Sequence, residues 1–228
     1  TSLQKDGSFI LSTAYGKEES MYELLFDNKA SILLINDNDK IFINIDNNNF
    51  KSYVVNGSKA SSDMHNFLNN YSTIYPQLIG LSQRIDTINN ELGSNDSVKT
   101  VAKLTKDHLL QKVNTNITNA FKNTNSPALQ YYLIAKAFVT MPLAKIQELA
   151  TIACEQHNTH SGLAFIKSIV YKQTEKEKAA TVAIEKRLKD SLSTIQKDSA
   201  IKKLQQDSLP KKTIMRSTIT IKDTLPKR

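Results

Sequence analysis

The sequence predicts an α+β chain: a small antiparallel β-sandwich-like unit, then a helical region, then a long basic amphipathic helix. Three observations carry this. Between Leu24 and Val55 the apolar residues fall in short, alternating runs separated by Asn- and Asp-rich turns, the period of half-buried strands. From Ser61 onward the spacing changes to three and four, the period of helices. Beyond Gln173 the composition shifts to Lys, Glu, Gln and Ser, with Ile184, Leu188, Leu192 and Ile195 four, four and three residues apart, which makes one apolar stripe on an otherwise polar helix.

Element by element, Gly7-Ser8 after Asp6 reads as a turn and Phe9 to Ser12 as a short strand. Met21 to Phe26 is the next apolar run, Asp27-Asn28 a turn, and Ser31 to Ile35 another strand. Asn36 to Asp39 consists of residues that tolerate left-handed backbone and bond their own amides, so it reads as a hairpin turn. Its alternating Asp and Asn residues open like a calcium loop, but the required Gly and the later Glu are missing. Lys40 to Asp46 alternates, with Ile41, Ile43 and Ile45 on one face and Phe42 and Asn44 on the other. Asp46 to Asn49 is a further turn before a strand at Tyr53 to Val55. The β-unit spans residues 1–57 and closes at Asn56-Gly57.

The helical region spans 58–172. Ser61-Ser62-Asp63 supplies N-caps for a helix carrying Met64, Phe67, Leu68, Tyr71 and Tyr75. Pro76 is expected to kink or restart it, with Leu78, Ile79, Leu81, Ile85 and Ile88 continuing the stripe. Gly93 to Ser97 is a break. A helix from Val98 to Lys122 should present Val101, Leu104, His108, Val113, Ile117 and Phe121. Asn123 to Pro127 is a turn with Pro placed for the first helical turn, a helix from Ala128 to Phe138 follows, Pro142 lies near the start of another to Gln156, His157 to Ser161 is a loop, and Gly162 to Tyr171 is a fifth helix. A basic amphipathic helix over 173–212 and a strand at Thr213 to Ile221, within a tail over 213–228, complete the chain.

Charge is unevenly placed. Residues 167–228 hold 16 Lys or Arg against 7 Asp or Glu, whereas residues 1–166 hold 14 against 15. The +8 net charge therefore belongs to the tail. Such a tail suits an acidic partner, anionic lipid or nucleic acid, the last through Lys186, Arg187, Lys189, Lys202 and Lys203, but equally a solvated helix face. With no Trp and no aromatics interleaved with the lysines, nucleic acid is not the expected partner.

Candidate chemistry is sparse. Cys154 is the single cysteine, so an intrachain disulfide and a Cys-x-x-Cys centre are both excluded. His157 and His160 follow it closely, the spacing that would suit a metal clip or an activated thiol, but three ligands at i, i+3 and i+6 spread around a helix, and a structural thiol is expected. His65 and His108 stand alone. Glu18-Glu19 is not expected to be a catalytic pair, since neighbours on a strand point to opposite faces. No phosphate loop, nucleophile elbow or zinc-protease motif occurs. Neither a catalytic site, nor a cofactor, nor a metal is expected.

Three stretches carry a family resemblance: GSFILS, LLINDNDKIFINID and YVVNGSKASSDMHNFLNNY. Together they resemble the N-terminal domain of unknown function that precedes a thioredoxin-like domain in bacterial cell-envelope thiol-disulfide proteins. That domain ends its β-unit in a strand with a Val-x-Gly-Ser turn, here Val55-Asn56-Gly57-Ser58. It continues with a helix like Met64 to Leu68 and an Asn-Ser-Pro-x-Ala-like turn, here Asn125-Ser126-Pro127-Ala128-Leu129. The resemblance covers about residues 5–170 and implies an envelope location, in the periplasm or as an outer-membrane lipoprotein. On that basis the chain is expected to be a trimmed, non-catalytic accessory or docking module whose first strands, export signal and lipid anchor have been removed. Membrane association would come only through that anchor, and the partner would be another envelope protein or complex subunit. The alternative is the N-terminal part of an oxidoreductase whose thioredoxin-like domain lies outside this chain. The stripe Ile184, Leu188, Leu192 and Ile195 is the candidate partner-facing surface, beside a strand edge left open for strand addition. Asp-Ser or Asp-Thr followed by an apolar residue resembles envelope O-glycosylation acceptors, with Thr87, Ser97, Ser191, Ser199, Ser208 and Thr224 in that position.

Overall fold

The computed structural model describes residues 4–13, 16, 18–26, 30–46, 49–90 and 96–207. It is α+β. Four strands, β1 (Met21–Phe26), β2 (Ala30–Ile35), β3 (Phe42–Asp46) and β4 (Asn49–Asn56), precede five helices, α1 (Lys59–Asn90), α2 (Asp96–Asn123), α3 (Pro127–Ala137), α4 (Leu143–Gln156) and α5 (Ser161–Asp207). The chain divides into two units, Thr1–Lys176 and Glu177–Arg228.

The strands form two separate antiparallel hairpins, β1-β2 and β3-β4. Met21 faces Ile35 in the first, and Phe42 faces Asn56 in the second, which carries an irregularity at Ile45/Asp46. One side of each hairpin is apolar, and the two meet over Ile32, Tyr53 and Val55, with Leu24, Phe26, Leu34, Ile41, Ile43 and Ile45 around them. This is the sandwich-like contact that the alternation predicts. The strand expected at Phe9 to Ser12 is not formed. Phe9 instead sets its ring edge-on to Phe26 at 6.3 Å, so an isolated aromatic contact replaces a ladder. The Asp6–Ser8 turn is present, with the Asp6 carboxylate accepting from the Ser8 amide at 2.9 Å.

A buried serine cluster ties the first hairpin to α1. Gly57 turns the chain at φ +83, where a Cβ would stand 2.5 Å from the Lys40 carbonyl oxygen, so only glycine fits. Ser58 then caps α1, its hydroxyl accepting from the Ser61 amide at 2.9 Å, so the expected caps Ser61-Ser62-Asp63 lie inside the helix instead. The Ser61 hydroxyl in turn accepts from the Ile35 amide at 2.8 Å, and Asp37 accepts from the Ala60 amide at 2.9 Å. The Asn36–Asp39 turn is therefore not the hairpin turn expected, since β2 and β3 do not pair; it joins the two hairpins, and its Asp37 caps α1.

The main core lies among the helices. Met64, Phe67, Tyr71 and Leu78 of α1, Val113, Ile117 and Phe121 of α2, Leu129, Leu133 and Ile134 of α3, Ile146 and Leu149 of α4, and Leu163, Ile166 and Val170 of α5 are all buried there. Tyr71 stacks on Tyr75 with ring centres 4.9 Å apart, and burial among these rings pushes its phenol up to about 12.

Three helical expectations are corrected. Of the kink or restart expected at Pro76, the restart does not occur: helix α1 runs through it, because packing on both sides of the proline outweighs one lost hydrogen bond. The stripe of α2 is buried only in its second half, while Val101 and Leu104 are 63% and 64% exposed and His108 is exposed. Only the second half of α2 joins the core shared with α3 and α4. Finally, the helices expected at Gly162 to Tyr171 and over 173–212 are one helix, α5. A change of composition without Gly or Pro does not end a helix. The Asp27-Asn28 turn and the Thr213 to Ile221 strand lie outside the described residues, as do Asn47 and Asn48 in the Asp46 to Asn49 turn and most of the Gly93 to Ser97 break.

Candidate functional site

A cavity of about 300 Å³ lies where the N-terminal segment crosses two helix starts, lined by Glu18, Glu19, Ser20, Met21, Ala128, Tyr131, His160, Ser161 and Gly162. Each glutamate caps a different helix. Glu18 accepts from the Ser161 amide at 3.0 Å and the Ser161 hydroxyl at 2.7 Å, at the first turn of α5. Those two donors, with His160 nearby, hold the Glu18 carboxyl below its ordinary range. Glu19 accepts from the Ser126 hydroxyl and, at 3.3 Å, from the Ala128 amide, at the start of α3. Carboxylates at helix N-termini satisfy amides that have no partner within the helix and complement the dipole. The adjacent pair therefore fastens the N-terminal segment to two helix starts. Alternation alone could not reveal this, because the capped helices begin 107 residues and more further along the chain.

His160 joins the same cluster, with Nε2 2.9 Å from the Glu19 carbonyl oxygen and Nδ1 accepting from the Leu163 amide at 3.2 Å. It is not brought into a metal site with its sequence neighbours. Cys154 is half-buried and donates to the Leu163 carbonyl at 3.3 Å. Burial pushes its thiol up, against a smaller opposing pull from Lys167, so the thiolate a nucleophile needs is disfavoured. His157 ends α4, its amide donating to the Ala153 carbonyl. Among the described residues no three His, Cys, Asp or Glu side chains are grouped to hold a metal ion. His65 packs its ring 3.8 Å from that of Tyr53, and burial lowers its basicity.

The stripe on α5 is laid out as its spacing predicts. Ile184, Leu188, Leu192 and Ile195 are 57–59% exposed, and at about 100° per residue they fall within about 80° of arc. Lys186, Arg187 and Lys189 are also exposed, but at the same 100° steps they spread over about 160°, with Asp190 set among them and Glu185 about 40° beyond Lys189. That arrangement breaks up a continuous basic face of the kind that tracks a phosphate backbone. The side chains of Lys202 and Lys203 lie outside the described residues.

Among the candidate glycosylation residues, Thr87 and Ser97 are exposed on α1 and α2, and Ser191 on α5. Thr87 donates its hydroxyl to the Gln83 carbonyl at 3.1 Å. The side chain of Ser199 is not among those described, and Ser208 and Thr224 lie outside the described residues. No helix among the described residues is long and apolar enough to cross a membrane. In comparisons with known proteins, no protein-family model matches the chain, and neither curated proteins nor solved structures give a match.

Proposed function

We propose that this chain is a non-catalytic accessory or docking module of the bacterial cell envelope, one that binds another envelope protein or complex subunit through α5. The observation that carries the reading is the line of Ile184, Leu188, Leu192 and Ile195, more than half exposed along one face. Burying such side chains in a partner's groove is worth about 1.5–3 kcal/mol each before the costs of association. Pairing an amphipathic helix with a groove is a common recognition mode. The two-stranded hairpins, each with outer edges that no described strand covers, offer a second contact by strand addition.

The test is site-specific photo-crosslinking in cells, with the reactive group at Leu188 or Leu192 and, as control, at Lys186 on another face. A discrete crosslinked species from the first two positions alone is expected. Equal or absent crosslinking at all three would remove α5 as the docking face. Fractionation should place the chain with the envelope, and recovery only from cytosol would overturn the location.

A second reading is supported by the two turn motifs, Val55-Asn56-Gly57-Ser58 and Asn125-Ser126-Pro127-Ala128, whose Ser58 and Ser126 both cap helices. It makes the chain the N-terminal part of a thioredoxin-like thiol-disulfide oxidoreductase. The intact mass of the native protein tests this reading: a larger product containing a Cys-x-x-Cys peptide supports it, and a product ending near Arg228 excludes it.

A further inference from the structure

Every residue of α5 from Glu175 to Lys197 is exposed, and the helix runs on to Asp207. Helices in proteins owe most of their stability to packing of an apolar face rather than to propensity, so this length of α5 calls for a second surface. Its stripe is suited to another straight helix. Ile184 and Ile195 stand eleven residues apart, with Leu188 and Leu192 between them. Eleven residues in three turns is about 3.67 per turn, close to the 3.6 of a straight α-helix. The stripe therefore follows the helix axis, without the left-handed supercoil that a strict seven-residue repeat imposes.

The positions bordering the stripe select its occupant. With Ile184 at 0°, the stripe fills about 0–80°; positions Arg187 and Asp198 fall about 20° apart on one side of it, and Lys189 and Gln196 about 20° apart on the other. In two antiparallel copies related by a two-fold axis through Leu192, each side of the stripe meets the same side of the other copy. Leu192 then packs on Leu192 of the second copy and Leu188 on its Ile195, while position 184 lies level with position 199 at the edge of the apolar contact. Position 187, an arginine, comes level with position 198, an aspartate, and Lys189 with Gln196, all to within about one residue. Opposite charges thus face each other at both ends of the contact, and each Lys189 faces an amide rather than another lysine. A parallel pairing loses this match, because it sets Arg187 between the Glu185 and Lys189 of the second copy.

The second compact unit begins at Glu177 and α5 ends at Asp207, so Leu192 is also the midpoint of that length and an axis there overlaps the two copies completely. The shared length is about 46 Å and a helix about 10–12 Å wide, so each copy covers about 500 Å² of the other. The total, about 1,000 Å², is what a specific but reversible interface requires. We propose that the complex subunit seated on α5 is a second copy of this chain, held by antiparallel pairing of the two 177–207 segments about Leu192. This inference rests on the reading of α5 as the docking face and names the partner.

The test is sedimentation of the full chain over about 1–100 µM, the range in which an interface of this size associates, with circular dichroism to confirm that each variant is folded. The native chain should pass reversibly from 25.6 kDa to twice that mass. Arg187→Asp and Asp198→Arg should each raise the dissociation constant about tenfold, since each turns two facing attractions into repulsions. The double variant exchanges the two charges and should return to the native affinity. A monomer at every concentration, a dimer that neither reversal weakens, or a double variant no tighter than the single ones would overturn the pairing. The photo-crosslink from Leu192 separates this inference from the reading beneath it. A species with the mass of two chains supports the second copy. A species joining the chain to a different protein removes the second copy and leaves α5 as the docking face, and the absence of any species removes both.

Discussion

The two halves of α5 carry the same apolar periodicity and meet opposite fates. In the first, Leu163, Ile166 and Val170 at three- and four-residue spacing are buried in the helical core. In the second, Ile184, Leu188, Leu192 and Ile195 at similar spacing are more than half exposed, as is Val182. Helix α2 repeats the contrast, with Val113, Ile117 and Phe121 buried and Val101 and Leu104 exposed. Periodicity identifies the face that would be buried, and burial then requires a second surface. For this reason the exposed half of α5 is where a partner is sought.

The largest expected effect disrupts the buried half. Leu163→Ala should destabilise the fold by about 2–5 kcal/mol, through lost transfer energy and the cavity left behind, read as a lower urea midpoint. Next comes the tie between hairpin and helices. Ser61→Ala removes the acceptor for the Ile35 amide, leaving that buried group unsatisfied at about 1–3 kcal/mol, while the Ser58 hydroxyl keeps the Ile35 carbonyl. Its increased exchange should centre on Ile35 and its neighbours.

Glu18 probes the start of α5, where the buried half begins. Its carboxyl is held low by hydrogen bonds that only the carboxylate accepts, so its contribution is present above the ordinary carboxylate range and lost as pH falls through the folded value. Glu18→Gln should therefore be less stable than the native chain near neutral pH and match it near about pH 3. A gap that stays constant with pH would deny Glu18 its role as a charged cap. The smallest effect is Leu188→Ala. Without a partner it should change stability by about 0.5 kcal/mol or less, while removing the crosslinked species expected from Leu192. Destabilisation comparable to that of Leu163→Ala would mean that this half of the helix is already packed.

Local features were legible in the residues alone. Alternation over Lys40 to Asp46 marked the inward side of β3, Asn56-Gly57 marked the turn that closes β4, Ser126-Pro127 marked the start of α3, and the four-four-three spacing marked the α5 stripe. These follow from steric rules and hydrogen bonds among residues near one another in the chain. Folding in three dimensions settled the rest: which stripes were covered, that Pro76 and the composition change after Gln173 interrupt nothing, and that Glu18, Glu19 and His160 meet at two helix starts. Those outcomes depend on surfaces brought together across more than a hundred residues, and a residue's neighbours in sequence carry no record of them.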